Sequence, residues 1–362
     1  MIKILQGNCL EVLKDLPEQS VNTCITSPPY WGLRDYQTAE WEGGDENCEH
    51  TISHYSDNLK PEVDRPFRGN RSACIKCGAI RKDSQLGLED TPEEFVENLV
   101  SVFREVKRVL RDDGTVWLNL GDSYSSGGRT TTTNQTLRGD KDYGVTRPKP
   151  SKGIKPKDLV GIPWRVAFAL QSDGWYLRQD IIWHKPAPMP ESVKDRCTKA
   201  HEYIFLLSKN KKYYFDNEAI REPIKPTTTG KASVRESGDS KTRSKEHWGI
   251  PHQPKNVIRE YKEIKGANKR SVWTVPTKPF RDAHFATFPP DLIKPCVLAG
   301  CPEGGTVLDP FGGAGTTGLV AQQHNRNCIL IELNPEYAQI ARDRLYNDAP
   351  LFVDVKSEVW KN

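Results

Sequence analysis

Apolar residues recur along this chain either in three- and four-residue steps or in short unbroken runs, and the two rhythms predict its elements. IKIL (2–5) reads as a short strand closed by a Gly-Asn turn, and CLEVLKDLP follows as a short helix with Leu10, Leu13 and Leu16 three apart. VNTCIT (21–26) reads as a buried strand. It must stop at Ser27-Pro28-Pro29-Tyr30, because prolines cannot continue a central strand. Thr91-Pro92-Glu93-Glu94 has the layout of a helix start, with threonine as cap and proline at the first position. That helix carries Phe95, Leu99, Val102, Phe103, Val106 and Leu110 on one stripe. Asp112-Asp113-Gly114 predicts a turn into a buried strand, TVWLNLGD. A helix at about 158–172, a strand over 175–184 and strands near 202–208 and 212–216 follow. TVLD (306–309), a glycine loop, a helix through LVAQQ, the strand CILIE (328–332) and the helix PEYAQIARDRL form a β-loop-α-β unit. Glu332 ends its second strand, which suits a nucleoside-bearing ligand: glycines admit the backbone and the acid takes ribose hydroxyls.

Three stretches lack either rhythm. Residues 40–90 read as an irregular insertion, 125–157 are rich in Ser, Gly, Thr and Lys and are expected to be disordered without a ligand, and 217–272 are polar and basic. Charge concentrates in two of them. Residues 129–157 hold eight Lys/Arg against two acids, and 217–270 hold thirteen against seven. Each segment is +6, so a chain of net +4 leaves −8 to the remainder. An acidic body with two basic segments suits docking to a polyanion through loops. No run of eighteen apolar residues occurs, so no membrane partner is expected, and the start MIKILQGN lacks a signal-peptide layout. Nine cysteines, an odd number, argue for a reducing interior in which clustered cysteines bind metal.

Two motifs carry the chemistry. Asp309–Gly318 reads D-P-F-G-G-A-G-T-T-G, which is neither a lysine-bearing phosphate loop nor G-x-G-x-x-G. ITSPPYW (25–31) offers acceptors: the Ser27 hydroxyl and the Pro28 carbonyl can receive two N–H bonds from an amino group. Proline pre-aims them, and Tyr30 can stack on a flat ring. Together the motifs closely resemble the S-adenosylmethionine-dependent amino-methyltransferases of DNA. The order, with Ser27 preceding Asp309 by 282 positions, matches the permuted beta group of that family. The resemblance extends to GTVWLNLGD, HEYIFLLSKN and HFATFPPDLI (284–293).

The resemblance implies an α/β fold: a doubly wound, mostly parallel, circularly permuted Rossmann-like sheet. The catalytic domain would span 1–39 and 86–216, an insertion 40–85, a target-recognition region 217–272, and the donor-binding part 273–362. It implies catalysis by Ser27, Pro28, Pro29 and Tyr30. It implies donor binding by Asn8, Asp309, Pro310, Phe311, Gly312, Gly313, Gly315, Thr316, Thr317, Glu332 and Phe288. Members often carry Gly-Asp where this chain has Gly7-Asn8; the Asn8 amide can still bond an adenine amino group. The expected substrate is double-stranded DNA with the target base flipped out, in the cytoplasm of a bacterial cell or phage-infected host. Ser27 resembles cytosine-N4 enzymes, whereas adenine-N6 enzymes usually have an acid there. A DNA-binding protein with a vestigial donor site is the competing class. Glutamine-methylating release-factor enzymes carry the two loops in the opposite order.

Cys48-x-His50 and Cys74-x-x-Cys77-Gly78 have the spacing of a closed, structural zinc site, with His54 as a substitute for His50. The insertion has too few apolar residues to fold unaided. Trp248, Tyr261, Arg235, Arg243, Lys245 and Arg259 are candidates for touching DNA. Pro295-Cys296 falls in an expected helix, so Cys296 reads as core rather than as a nucleophile, and His184 reads as a strand-end hydrogen bonder.

Overall fold

The computed structural model describes residues 1–32, 38–50, 73–74, 76–125, 153–223, 266–278, 288–349 and 355–359. Its elements are β1 (Ile2–Gln6), α1 (Cys9–Asp15), β2 (Val21–Thr26), β3 (Glu40–Glu42), β4 (Ile80–Lys82), α2 (Pro92–Val109), β5 (Leu110–Leu120), α3 (Ile162–Ser172), β6 (Tyr176–His184), β7 (His201–Ser208), β8 (Val272–Thr274), α4 (Pro290–Gly300), β9 (Thr306–Asp309), α5 (Thr316–Gln323), β10 (Asn327–Glu332), α6 (Pro335–Asp348) and β11 (Val355–Val359). The chain forms two compact units, Met1–Asp216 with Arg270–Asn362, and Asn217–Lys269. Within the smaller unit, Glu222 and Ala267 exchange backbone hydrogen bonds. Among the described residues no helix is long and apolar enough to cross a membrane.

One sheet organises the larger unit, in the order β11-β1-β10-β9-β2-β5-β7-β6-β8. β7 runs antiparallel to both its neighbours, and the other pairings are parallel. Strands buried on both faces need unbroken apolar runs, as in Val116–Leu118, all at most 2% exposed. β9 and β10, from the C-terminal end of the chain, are inserted between β1 and β2. From β9 the chain winds outward to β10, and from β2 it winds the other way to β5. The junction of β9 and β2 is therefore the switch point, where loops leaving the strand ends part and leave a crevice.

Helices cover the sheet as their stripes dictate. In α2 the Thr91 hydroxyl accepts from the Glu94 amide at 3.2 Å, and Phe95, Leu99, Phe103 and Val106 are fully buried. In α1, by contrast, Val12 and Leu13 are buried and Leu10 only half-buried. Cys296 is buried in α4, and His184 Nδ1 pairs with the Thr274 hydroxyl at 3.1 Å.

Several boundaries differ from expectation. Asp112-Asp113-Gly114 is not a turn between elements: α2 runs directly into β5, and the three residues sit in a bulge where pairing jumps from Val21↔Leu110 to Thr23↔Thr115. The helix expected from 158 begins at Ile162, because Tyr124 and Leu159 form a β-bridge and Gly161 turns the chain at φ 79°. Residues 212–216 form no strand: the Phe215 ring instead stacks on Trp117, with centroids 6.1 Å apart. The insertion is not wholly irregular, since β3 and β4 pair antiparallel. β8 and β11 form where the sequence pattern assigned no element. The segments 126–152 and 224–265, with all six candidate DNA contacts, lie outside the described residues, as does His54.

Candidate active site

The glycine loop and the Ser-Pro-Pro-Tyr loop leave adjacent strands at the switch point. Asp309, 1% exposed, ties them together. Thr26 Oγ1 donates to its Oδ1 at 2.6 Å and Thr317 Oγ1 to its Oδ2 at 2.6 Å, while the Phe311 amide donates to Oδ1 at 3.1 Å. The last residue before the Ser-Pro-Pro-Tyr loop is thus bonded to the last residue of β9. Burial pushes the Asp309 carboxyl up to about 6, against the three hydrogen bonds, which favour the charged form. Asp309 therefore acts as a clamp between the loops and does not face the cavity.

A cavity of about 1020 Å³ opens over this junction. That stands at the upper end of the range for small-molecule sites. Its lining takes in Asn8, Ser27, Pro28, Pro29, Tyr30, Phe288, Pro310, Phe311, Gly312, Gly313, Thr316 and Glu332 from the expected set. Gly315 and Thr317 stay behind it. A Cβ on Gly315 would lie 2.9 Å from Ala341 Cβ, so this glycine lets α6 approach. A Cβ on Gly313 would meet only the Phe311 carbonyl oxygen, at 4.0 Å, and would project into open space. A cradle of bare backbone at the cavity wall fits a ligand pressed against the loop.

Glu332 organises the loop from the other side. Its Oε2 accepts from the Gly313 amide at 2.7 Å and its Oε1 from the Asn334 amide at 2.9 Å. Burial raises this carboxyl to about 7. Asn8 caps α1, its Oδ1 accepting from the Leu10 amide at 2.9 Å. The amide NH₂ group and the second lone pair of Oδ1 are what it can offer a ligand.

Around the acceptor loop the structure adds groups that motif spacing did not single out. The Tyr30 hydroxyl donates to Glu202 Oε2 at 2.8 Å and lies 3.2 Å from Asn119 Oδ1. Glu202 Oε1 pairs with the Lys185 ammonium. The Tyr30 ring lies against Gly121, where a Cβ would come within 2.4 Å of its edge. Asn119, Lys185 and Glu202 all line the cavity. The signal in the sequence was a polar residue at the end of an otherwise apolar strand: Asn119 in VWLNL and Glu202 in HEYIFLL.

The segment leading into α2 reaches the same loop. Gly32 donates its amide to the Gly87 carbonyl at 2.8 Å, and Trp31 Nε1 donates to the Glu89 carbonyl at 2.9 Å. Farther out, one ligand atom from each of Cys48, His50, Cys74 and Cys77 lies within 4.8 Å of the others. The Cys74 carbonyl accepts from the Gly78 amide at 2.9 Å, closing the C-x-x-C turn, and Trp41 of β3 stacks on His50 at 4.6 Å. The structure brings together the four residues singled out by spacing, as a group that could hold a metal ion.

A family model described as DNA methylase matches residues 21–343. Type II methyltransferase M.Cfr9I of Citrobacter freundii is 42% identical over 345 residues, spanning 95% of this chain and 88% of its own. Type II methyltransferase M.SmaI of Serratia marcescens is 42% identical over 346 residues, spanning 95% and 90%. Among solved structures, the cytosine-N4-specific PvuII DNA methyltransferase superposes with a TM-score of 0.55 at 18% identity, covering 98% of this chain and 87% of that one. TTHA0409 of Thermus thermophilus, a putative DNA modification methylase complexed with S-adenosyl-L-methionine, gives 0.52 at 21% identity over the whole of both chains. These likenesses share the fold described above. With the match extending over most of the sequence, the chain belongs to the N6/N4 DNA methylase family and is an S-adenosylmethionine-dependent DNA amino-methyltransferase.

Proposed function

We propose that the chain transfers a methyl group to the exocyclic N4 of cytosine in double-stranded DNA. The carrying observation is a neutral serine at the acceptor loop, Ser27, opening into the same cavity as the donor loop. Asn8, Pro310–Gly313, Thr316, Glu332 and Phe288 would hold the donor, which supplies an electrophilic methyl on a sulfonium. The target base must leave the duplex to enter the cavity. Tyr30 stacks on it, and Ser27 Oγ with the Pro28 carbonyl accepts the two amino N–H groups, turning the nitrogen lone pair toward the methyl. Catalysis is then positioning for a direct displacement. Cytosine carries a ring acceptor, N3, beside its amino group. A neutral hydroxyl leaves that acceptor unopposed, whereas an ionised aspartate would repel it.

The four-residue metal group is read as a structural zinc site. Three thiolates and an imidazole form a soft donor set, and Cys48 and Cys74 sulfurs stand 3.9 Å apart. A tetrahedron with Zn–S of about 2.3 Å places sulfurs about 3.8 Å apart. The basic segments are read as DNA-binding, with 217–272 choosing the target.

Mass spectrometry of nucleosides from treated DNA tests the base. N4-methylcytidine is the expected product, and Ser27→Ala should slow methylation far more than it weakens donor binding. N6-methyladenosine without N4-methylcytidine would overturn the base assignment.

A further inference from the structure

We propose that Ser27, Tyr30 and Glu202 form a proton relay that drains the target amino group during methyl transfer, with the Glu202 carboxylate as its terminus. When the amino nitrogen forms its bond to the methyl carbon, the C–S bond breaks and its electron pair stays on sulfur. The nitrogen is left with one proton too many. The Ser-Pro-Pro-Tyr loop contains no group able to keep it. A serine hydroxyl can only accept a proton on one lone pair while passing on its own.

The hydrogen bonds run in one direction. Ser27 Oγ donates to Tyr30 Oη at 3.5 Å, and Tyr30 Oη donates to Glu202 Oε2 at 2.8 Å. The Ser27 lone pairs thus stay free for an incoming N–H. The first link is long, as catalytic hydrogen bonds often are before substrate tightens them. Asn119 holds the middle of the chain: its Nδ2 donates to the Tyr203 carbonyl at 3.0 Å, which turns Oδ1 toward Tyr30. The Lys185 ammonium pairs with the Glu202 carboxylate and holds it charged before transfer begins.

The hydrogen bonds of the other carboxylates lining the cavity lead away from Tyr30. Asp122 Oδ1 accepts from the amides of Ser123, Gly161 and Ile162 at 2.9–3.1 Å, fixing the start of α3. Glu191 Oε2 binds Arg196 at 2.6 Å and the Lys199 amide at 3.3 Å. Glu332 holds the glycine loop. Among the described residues, Glu202 is the carboxylate bonded to Tyr30. Glu202 acts through Tyr30 and is a positioning residue until the proton arrives.

The relay rests on the placement of the amino group at Ser27, and it serves cytosine or adenine alike. The test is single-turnover transfer of tritiated methyl by the full chain to duplex DNA, in mixtures of H₂O and D₂O. The wild type should show a solvent isotope effect that curves with deuterium fraction, because several protons move together. Glu202→Gln and Tyr30→Phe should each slow transfer by roughly 100-fold and abolish the curvature, the usual scale for losing a proton-transfer group. Binding of S-adenosylmethionine should stay at the wild-type value, and Glu202→Asp should recover part of the rate. A wild-type rate in either variant overturns the relay. So does a slowed Glu202→Gln that keeps the isotope curvature, since the carboxylate would then only brace Tyr30. Digestion of the product separates the two readings: N6-methyladenosine with the isotope pattern intact refutes the cytosine assignment and leaves the relay standing.

Discussion

Gly313 and Gly315 sit two residues apart in one loop, both with positive φ, 48° and 75°. They should nonetheless fail in different ways. Alanine at either position carries about 1–2 kcal/mol of left-handed backbone strain. At 315 the new methyl also meets Ala341 Cβ at 2.9 Å and Ala341 Cα at 3.1 Å, so α6 must shift. Overpacking of that kind costs about 1–3 kcal/mol, for a total of about 2–5 kcal/mol. At 313 nothing in the protein lies closer than 4.0 Å, so the strain stands alone. Its methyl, however, enters the cavity where the donor would press on bare backbone. Gly315→Ala is expected to lower the thermal midpoint by several degrees while keeping donor binding in the protein that remains folded. Gly313→Ala should shift the midpoint less and lose most calorimetric binding of S-adenosylmethionine. A Gly313→Ala protein that binds the donor normally would refute the location of the donor. Equal destabilisation by the two substitutions would refute the packing argument.

Other expectations follow from the titrating and metal-binding groups. Burial holds the Glu332 carboxyl near 7, and in the proposed reading its ionised form would accept from the donor's ribose hydroxyls. Donor affinity should therefore rise about tenfold per unit of pH up to about 7 and then level off; Glu332→Gln should be flat, and a wild type equally flat by calorimetry would contradict this role. Asp309 stands at about 6 against an ordinary 3.8, so its protonated form contributes stability that is complete below pH 3.8 and lost as pH rises through about 6. Asp309→Asn should gain on the wild type by about 3 kcal/mol between pH 4 and 8 in denaturant titrations, and a constant difference would dismiss the clamp's titration. Stripping metal, or Cys74→Ser, should release about one equivalent of zinc and loosen hydrogen-exchange protection in 73–90 while the sheet stays protected; metal-free protein with unchanged protection would dismiss a structural ion.

What the sequence determined was whatever depends on neighbours along the chain. Unbroken apolar runs specified β2, β9 and β10, the threonine cap and apolar stripe specified α2, and the two loops were legible because glycine and proline act on their own backbone. The metal group was legible for a similar reason: close ligand spacing sets its geometry. Tertiary structure decided the rest. Insertion of β9 and β10 between β1 and β2 made Thr26 and Asp309 partners across 283 positions, which turned an expected ligand-facing acid into a buried clamp. The same folding brought Glu202 of β7 to Tyr30 across 172 positions. Phe215 found Trp117 instead of a strand partner, and Asp112-Asp113-Gly114 was absorbed as a bulge because β2 and β5 pair on both sides of it. Local pattern fixes backbone preference, but a side chain's task depends on which distant strand end it meets, and that is set by the order of the sheet.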